Sequence, residues 1–307
     1  MKVVVFTATG DQGSSVCKYL LEAGHGVFGI TRNASSDKAK ALAAQGVTLV
    51  VGDMSDPSSY ADKLKDIDAA FVNADFWSIY NSNGYDALSA QRSETSASIA
   101  AIDACVVAGA KHIVYSTLDE VEEGACPHYE SKAAVSRYLR ENNIPHTNLL
   151  TCNYFSNFTK FGLLKRSETD ANANGWTVTF PVPDNTLVSS YAVEQTGLWV
   201  VEALKKPEQW LGKVMQVCSS CITVTEMAEC LSRVSGSQVD RLHLTKEQFY
   251  SDAHKAAVGE EFWLACKVLV EGGMQRDVEA SKLVVPTQWD LEAWAGQDKD
   301  MREWFNL

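Results

Sequence analysis

The sequence predicts an α/β fold, a doubly wound parallel sheet with a smaller C-terminal lobe for a substrate or partner. Short apolar runs, such as residues 3–6 and 69–72, have the continuous hydrophobicity of strands buried on both faces. Helical patterns follow these runs at short intervals, which is typical of repeated βαβ units. With 307 residues, 46% of them hydrophobic, the chain is long enough to bury a large core.

The elements of the first half follow one another regularly. Apolar runs predict strands at residues 3–6, 27–30, 47–51, 69–72, 113–115 and 147–150. Apolar residues spaced three or four apart predict helices from residue 14 to Gly24, around 39–44, at 95–108 and at 131–141. This alternation indicates parallel strands joined by crossover helices.

The second half is less regular. It contains a polar loop at residues 167–175, then predicted strands at 176–180 and 214–217, helices at 193–204 and 223–234, and helical segments from Leu242 onward. We expect one bilobal domain over residues 1–307. The larger lobe takes about 1–152 plus returning elements about 186–220, and the smaller lobe takes about 153–185 and 221–307.

Charge and composition exclude several function classes. The net charge of −12, with 27 basic residues among 39 acidic ones, argues against direct binding of nucleic acid, so any role in gene regulation would need a protein partner. No apolar run is long enough for a membrane helix and no signal-peptide pattern begins the chain, so we expect a cytoplasmic location, or a nuclear one for a regulator.

The eight cysteines are interpreted as buried, reduced thiols. The Cys218-x-x-Cys221 pair lacks a second pair or nearby histidines, so we interpret it as incidental and expect no metal site.

The turn after the first strand predicts a dinucleotide site. It contains Gly10 and Gly13, two of the three glycines in the spacing G-x-x-G-x-x-G, with Thr7 at the first position. Such glycines let the backbone approach a pyrophosphate, and the helix that follows offers N–H donors to it. A glycine turn without a ligand is the alternative.

The residue after the second strand favours NADP(H) over NAD. NAD-binding proteins usually carry an acidic residue there for the ribose hydroxyls, whereas this chain has Arg32. A guanidinium suits a 2′-phosphate, although a solvated surface arginine is the alternative interpretation.

These motifs resemble the NmrA-like family, atypical members of the short-chain dehydrogenase/reductase superfamily. The resemblance covers essentially the whole chain. It rests on residues 8–13, 31–33, Gly52-Asp53, Phe76-Trp77, 108–117, Lys132, 153–157 and Trp294.

The resemblance implies roles for further residues. Thr9, Gly10, Asp11, Gln12 and Gly13 would hold the pyrophosphate and Arg32 the 2′-phosphate, while Asp53 and Met54 would flank the adenine. The nicotinamide side would be formed by Asn73, Ala74, Phe76 and Lys132, with Tyr154, Phe155 and Asn157 over the nicotinamide and substrate.

The superfamily's usual catalytic tyrosine, four residues before the lysine, is replaced by His128. Tyr129 would point about 100° away on a helix and is a poor substitute. In one hypothesis, His128 or Lys132, tuned near neutral pH by burial, donates a proton during NADPH-dependent reduction of a small apolar or aromatic carbonyl, quinone or enone.

In the other hypothesis the protein is a non-catalytic NADP(H) sensor that acts through a protein partner. Ser116 would bind a substrate carbonyl or merely satisfy backbone groups, and the aromatic residues around Phe76 would contact a substrate or pack the core. The sequence leaves these alternatives open.

Overall fold

The computed structural model describes residues 1–167 and 175–307, so most of the predicted polar loop lies outside the described residues. The chain divides into two compact units. The first comprises Met1–Thr151 and Val193–Gln216, and the second comprises Cys152–Ala192 and Val217–Leu307.

The strands of the described residues are β1 (Lys2–Val5), β2 (Gly26–Thr31), β3 (Thr48–Val51), β4 (Ala69–Val72), β5 (His112–Thr117), β6 (His146–Leu150), β7 (Asn153–Tyr154), β8 (Leu164–Arg166), β9 (Trp176–Val178), β10 (Leu187–Tyr191), β11 (Lys213–Gln216), β12 (Ser220–Thr223) and β13 (Val239–Arg241).

The α-helices of the same residues are α1 (Asp11–Glu22), α2 (Asp37–Ala44), α3 (Phe76–Ser82), α4 (Ala87–Val107), α5 (Pro127–Glu141), α6 (Asn157–Lys160), α7 (Thr196–Lys205), α8 (Pro207–Trp210), α9 (Val224–Ser235), α10 (Lys246–Phe249), α11 (Asp252–Val258), α12 (Glu260–Val270), α13 (Val278–Val284), α14 (Leu291–Ala295) and α15 (Lys299–Phe305). In the part of the chain that the structure describes, no helix is long and apolar enough to cross a membrane.

The first unit is built on a seven-stranded sheet in the order β11-β6-β5-β4-β1-β2-β3. Every neighbouring pair is parallel, so the carboxyl ends of the strands meet at one edge. The strand order reverses between β1 and β4, which is where Rossmann-type sheets bind ligands. The predicted doubly wound parallel sheet is therefore confirmed, and its strand order is that of a Rossmann-type fold.

One apolar core of the first unit joins the sheet to α4 and α5. It includes Val4 and Val72 of the sheet, Ile102 of α4 and Leu139 of α5. Helix α7 approaches α1 closely, because a Cβ at Gly197 would lie 2.5 Å from the carbonyl oxygen of Ser15. The Ser15 hydroxyl donates to the carbonyl of Glu194 and accepts from the N–H of Gly197.

The second unit contains two three-stranded sheets, β12-β10-β7 and β13-β9-β8. Its core includes Trp294, whose ring packs on Phe155 and Phe158. Strand β10 pairs here with β7 and β12. The returning segment of the first unit is therefore residues 193–216, shorter than the expected 186–220, since the backbone groups of β10 find their partners in the second unit.

Candidate functional site

Thr7 occupies the glycine position of the turn between β1 and α1. Its φ of +49° lies in the left-handed region that glycine usually supplies. The Thr7 hydroxyl lies within hydrogen-bonding distance of the carbonyl oxygens of Phe6 (2.7 Å) and Asn73 (3.2 Å). These contacts hold a threonine in the glycine conformation, so this departure from the motif leaves the turn intact.

Gly13 allows the tightest backbone approach in this turn. A Cβ at Gly13 would lie 2.2 Å from the carbonyl oxygen of Thr7, so no other residue fits without moving the backbone. Gly10 is the N-cap of α1 and provides no side-chain cap. The helix begins at Asp11, three residues earlier than predicted, so Gln12 and Gly13 lie in its first turn. The positive end of α1 thus lies at the carboxyl edge of the sheet, where an anion is favoured.

Arg32 and Asp53 follow adjacent strands at this edge. Arg32 directly follows Thr31, the last residue of β2, and Asp53 is the second residue after Val51, the last residue of β3. Thr31 and Val51 are paired in the sheet. An open pocket of about 480 Å³ lies here, lined by Arg32, Val51, Gly52, Asp53, Ser59 and Lys63. Lys63 was not predicted, and a surface lysine in a short loop carries no sequence signal.

The Asp53 carboxylate is tied to its own loop. It accepts hydrogen bonds from the Ser55 hydroxyl (2.7 Å) and the Ser55 N–H (2.9 Å). These bonds, and more weakly the charge of Arg32, hold the pKa of Asp53 below its usual value. Asp53 is therefore an anion inside a pocket that contains two cations.

Met54 does not line this pocket. Its side chain packs against the apolar core of the first unit, and its carbonyl accepts from the hydroxyl of Tyr60 at 3.3 Å. Consecutive residues in this loop therefore face opposite ways, Asp53 toward the pocket and Met54 toward the core, and the role of the two beside an adenine stays a prediction.

Asn73 and Ala74 follow β4 and contribute their backbone carbonyls. That of Asn73 faces the Thr7 hydroxyl, and that of Ala74 accepts from Lys132 Nζ at 3.1 Å. The Asp75 side chain then caps α3 by accepting from the N–H of Ser78, which places Phe76 at the start of that helix with its ring buried.

Lys132 forms a buried ion pair that sequence reasoning missed. Its Nζ lies 3.0 Å from a carboxylate oxygen of Glu94, and the two residues are 7% and 0% exposed. The other carboxylate oxygen of Glu94 accepts a short hydrogen bond from the Ser131 hydroxyl.

A signal for this ion pair was present in the sequence. Glu94 lies on the same face of α4 as Ala90, Ala97 and Ala101, all of them buried. A single charge on an apolar helical stripe indicates a partner in the interior.

His128 packs in an aromatic cluster formed by Phe76, Trp77, Tyr80, His128 and Tyr129. The His128 ring centroid lies 4.9 Å from that of Phe76 and 5.0 Å from that of Trp77. Burial, and secondarily the charge of Lys132, lowers the pKa of His128 to about 3. The expectation that burial tunes this group near neutral pH is therefore not met: the imidazole is neutral at physiological pH.

Tyr129 and Ser116 are both buried, at 2% and 1% exposure. The Tyr129 ring packs edge-on against the His128 ring, with 5.6 Å between their centroids. Ser116 lies near the end of β5.

The remaining predicted residues belong to the second unit. Tyr154 lies on β7 with its ring edge-on to Tyr191, Phe155 is buried, and Asn157 donates to the side chain of Asn153 at 2.7 Å. Their roles toward a cofactor stay predictions.

All eight cysteines are free thiols. Within residues 1–167 and 175–307, no group of three or more His, Cys, Asp or Glu side chains is arranged to hold a metal ion.

Comparisons with known proteins identify similar sequences over most of the chain. The model of the NmrA-like family matches residues 1–295. An NmrA-like family domain-containing protein of Dictyostelium discoideum is 24% identical over 250 residues, which cover 78% of each chain.

Two solved structures share the fold. NmrA, a negative transcriptional regulator solved in complex with NADP, has a TM-score of 0.78 at 19% identity, covering 99% of this chain and 97% of its own. The triphenylmethane reductase of Citrobacter sp., complexed with NADP(H), has a TM-score of 0.71 at 23% identity, covering 97% of this chain and 99% of its own. Since the family match spans nearly the whole sequence, this chain belongs to the NmrA-like family.

Proposed function

We propose that the first unit binds NADP(H) at the carboxyl edge of its sheet. The observation that carries this proposal is the turn at Gly13, where the space for a Cβ is taken by the Thr7 carbonyl at 2.2 Å. Residues 9–13 would hold the pyrophosphate there. The Arg32 guanidinium, in the pocket beside β2 and β3, would hold the 2′-phosphate. Both solved relatives named above were crystallised with the same cofactor, which supports this choice.

We further propose that the protein is an NADPH-dependent oxidoreductase acting on a small apolar or aromatic carbonyl, quinone or enone. The cofactor would supply hydride. The aromatic cluster supports a planar substrate, because its rings offer apolar faces and Trp77 and Tyr80 are only partly buried. The triphenylmethane reductase offers a precedent for reduction on this fold.

The proton for such a reaction is better supplied by Lys132 than by His128. A histidine with a pKa of about 3 is a neutral imidazole at neutral pH, so it lacks the imidazolium proton that a general acid would donate. Lys132 has three N–H groups, of which the Ala74 carbonyl and the Glu94 carboxylate take two, so its Nζ keeps one N–H for a substrate oxygen. In this proposal Lys132 is the catalytic residue, and His128 is a neutral member of the aromatic cluster.

A redox-sensing regulator that acts through a protein partner is the second candidate. The observation that favours it is the loss of the tyrosine donor together with the neutral state of His128. NmrA, which shares the fold, is a negative transcriptional regulator. We propose a cytoplasmic location for the reductase, and a cytoplasmic or nuclear location for the regulator.

The two candidates are separated by turnover. Calorimetry first measures NADPH and NADP binding, and NADPH consumption is then followed with a panel of quinones, enones and aromatic aldehydes. A reductase consumes NADPH with at least one of them, and Lys132→Met abolishes this consumption while the exposed control Lys111→Met retains it. Tight binding without turnover supports the sensor. Absence of binding at millimolar nucleotide overturns both.

A further inference from the structure

The pocket beside β2 and β3 contains a second cation besides Arg32. Lys63 reaches it from a short 3-10 turn after β3, Ala61–Lys63. Its Nζ donates to the carbonyl oxygens of Val51 (3.1 Å) and Ser59 (2.5 Å). Two carbonyl contacts restrain an otherwise flexible side chain, so much of the entropy cost of positioning this charge is met before a ligand arrives.

The charges of this pocket suit a doubly charged phosphate group better than the uncharged hydroxyl of a ribose. A phosphomonoester carries about −1.5 to −2 charges near neutral pH. Arg32 alone does not balance that charge, because the Asp53 anion lies close enough for the two to interact. With Lys63 the lining holds two positive charges against one negative, and the ammonium keeps a third N–H for a ligand oxygen.

We propose that Lys63 and Arg32 together clamp the 2′-phosphate of NADP(H), which makes Lys63 a specificity-determining residue. This inference rests on the proposed function, since it names a second group for the same ligand. Arg32 supplies the planar two-pronged contact, and Lys63 supplies the charge that offsets Asp53.

The test compares two small probes that contain no nicotinamide and differ only in the 2′-phosphate, 2′,5′-ADP and 5′-AMP, by calorimetry on the full chain. Lys63→Gln removes the charge and keeps N–H donors for the two carbonyls. Lys65→Gln, an exposed neighbour outside the pocket, is the matched control. We expect Lys63→Gln to weaken the binding of 2′,5′-ADP about tenfold, which equals ~1.4 kcal/mol, and the binding of 5′-AMP less than about twofold.

A second variant and a folding control complete the test. Lys63→Arg should retain most of the preference for 2′,5′-ADP that Lys63→Gln loses, and thermal unfolding of each variant checks that the variant is folded. If the wild type prefers 2′,5′-ADP and Lys63→Gln keeps that preference unchanged, the role of Lys63 is refuted while NADP(H) binding stands. If the wild type binds neither probe nor NADPH, the proposed function itself fails.

Discussion

Replacing Glu94 by glutamine removes the negative charge that contacts the buried ammonium of Lys132. The amide is nearly isosteric with the carboxylate and can still accept from the Ser131 hydroxyl or from Lys132. The substitution therefore changes charge with little change in volume, which isolates the electrostatic part of the interaction.

The expected cost follows from burial. Glu94 is fully buried and Lys132 is 7% exposed, so the ammonium left behind has little access to water. Removing one partner of a buried pair costs about 3–5 kcal/mol, and the retained Ala74 and amide contacts place Glu94→Gln near ~3 kcal/mol. Removing both charges in Glu94→Gln/Lys132→Met should restore at least about 2 kcal/mol of that loss, since no unpaired charge remains.

Urea unfolding followed by far-UV circular dichroism measures these free energies. The control is Glu120→Gln, which breaks the exposed pair of Glu120 with Arg140 and should cost under about 1 kcal/mol. A loss for Glu94→Gln no larger than that of this control would refute the reasoning. So would a double variant whose loss equals the sum of the two single losses, because the charges would then not be coupled.

Three other predictions follow from the same unit. Gly13→Ala should abolish NADPH binding in calorimetry, since its Cβ would lie 2.2 Å from the Thr7 carbonyl, whereas Gly26→Ala, whose Cβ meets no atom closer than 3.8 Å, should leave binding unchanged. Arg32→Gln should weaken NADPH about tenfold or more and NADH by less than twofold, and equal effects on both would contradict the assignment. The pKa of His128 is about 3 in the folded protein and about 6.5 in the unfolded chain. Between about pH 6.5 and pH 3, therefore, only the unfolded chain binds a proton at His128, and the free energy of unfolding decreases as the pH falls through this range. His128→Phe should therefore lose less stability than the wild type between about pH 6.5 and pH 4 in urea titrations, and an unchanged slope would contradict this.

Local pattern alone determined most of the first unit. The inner strands β1 and β4 were predictable because each is a short apolar run buried on both faces. The turn at Gly10 and Gly13 was predictable because close backbone approach restricts the residue type at single positions. The position of Arg32 at this edge of the sheet was predictable because the residue follows the end of β2 directly, while its role toward a 2′-phosphate stays a prediction.

Helix starts were less predictable. Helix α4 begins at Ala87 and not at 95, and α5 begins at Pro127 and not at 131. Their first turns contain few apolar residues in a periodic pattern. Capping decides where α4 starts, since the Asp86 side chain accepts from the N–H of Ser89, and a proline at the first position favours the start of α5.

The tertiary structure alone decided the partners of the charged groups. Glu94 and Lys132 are 38 residues apart and meet because α4 and α5 pack side by side, while Lys63 shares a pocket with Arg32 because β2 and β3 are neighbours in the sheet. The low pKa of His128 likewise depends on rings from α3 that surround it. Periodicity reports which face of an element is buried, whereas the charge and polarity opposite that face depend on which elements pack together.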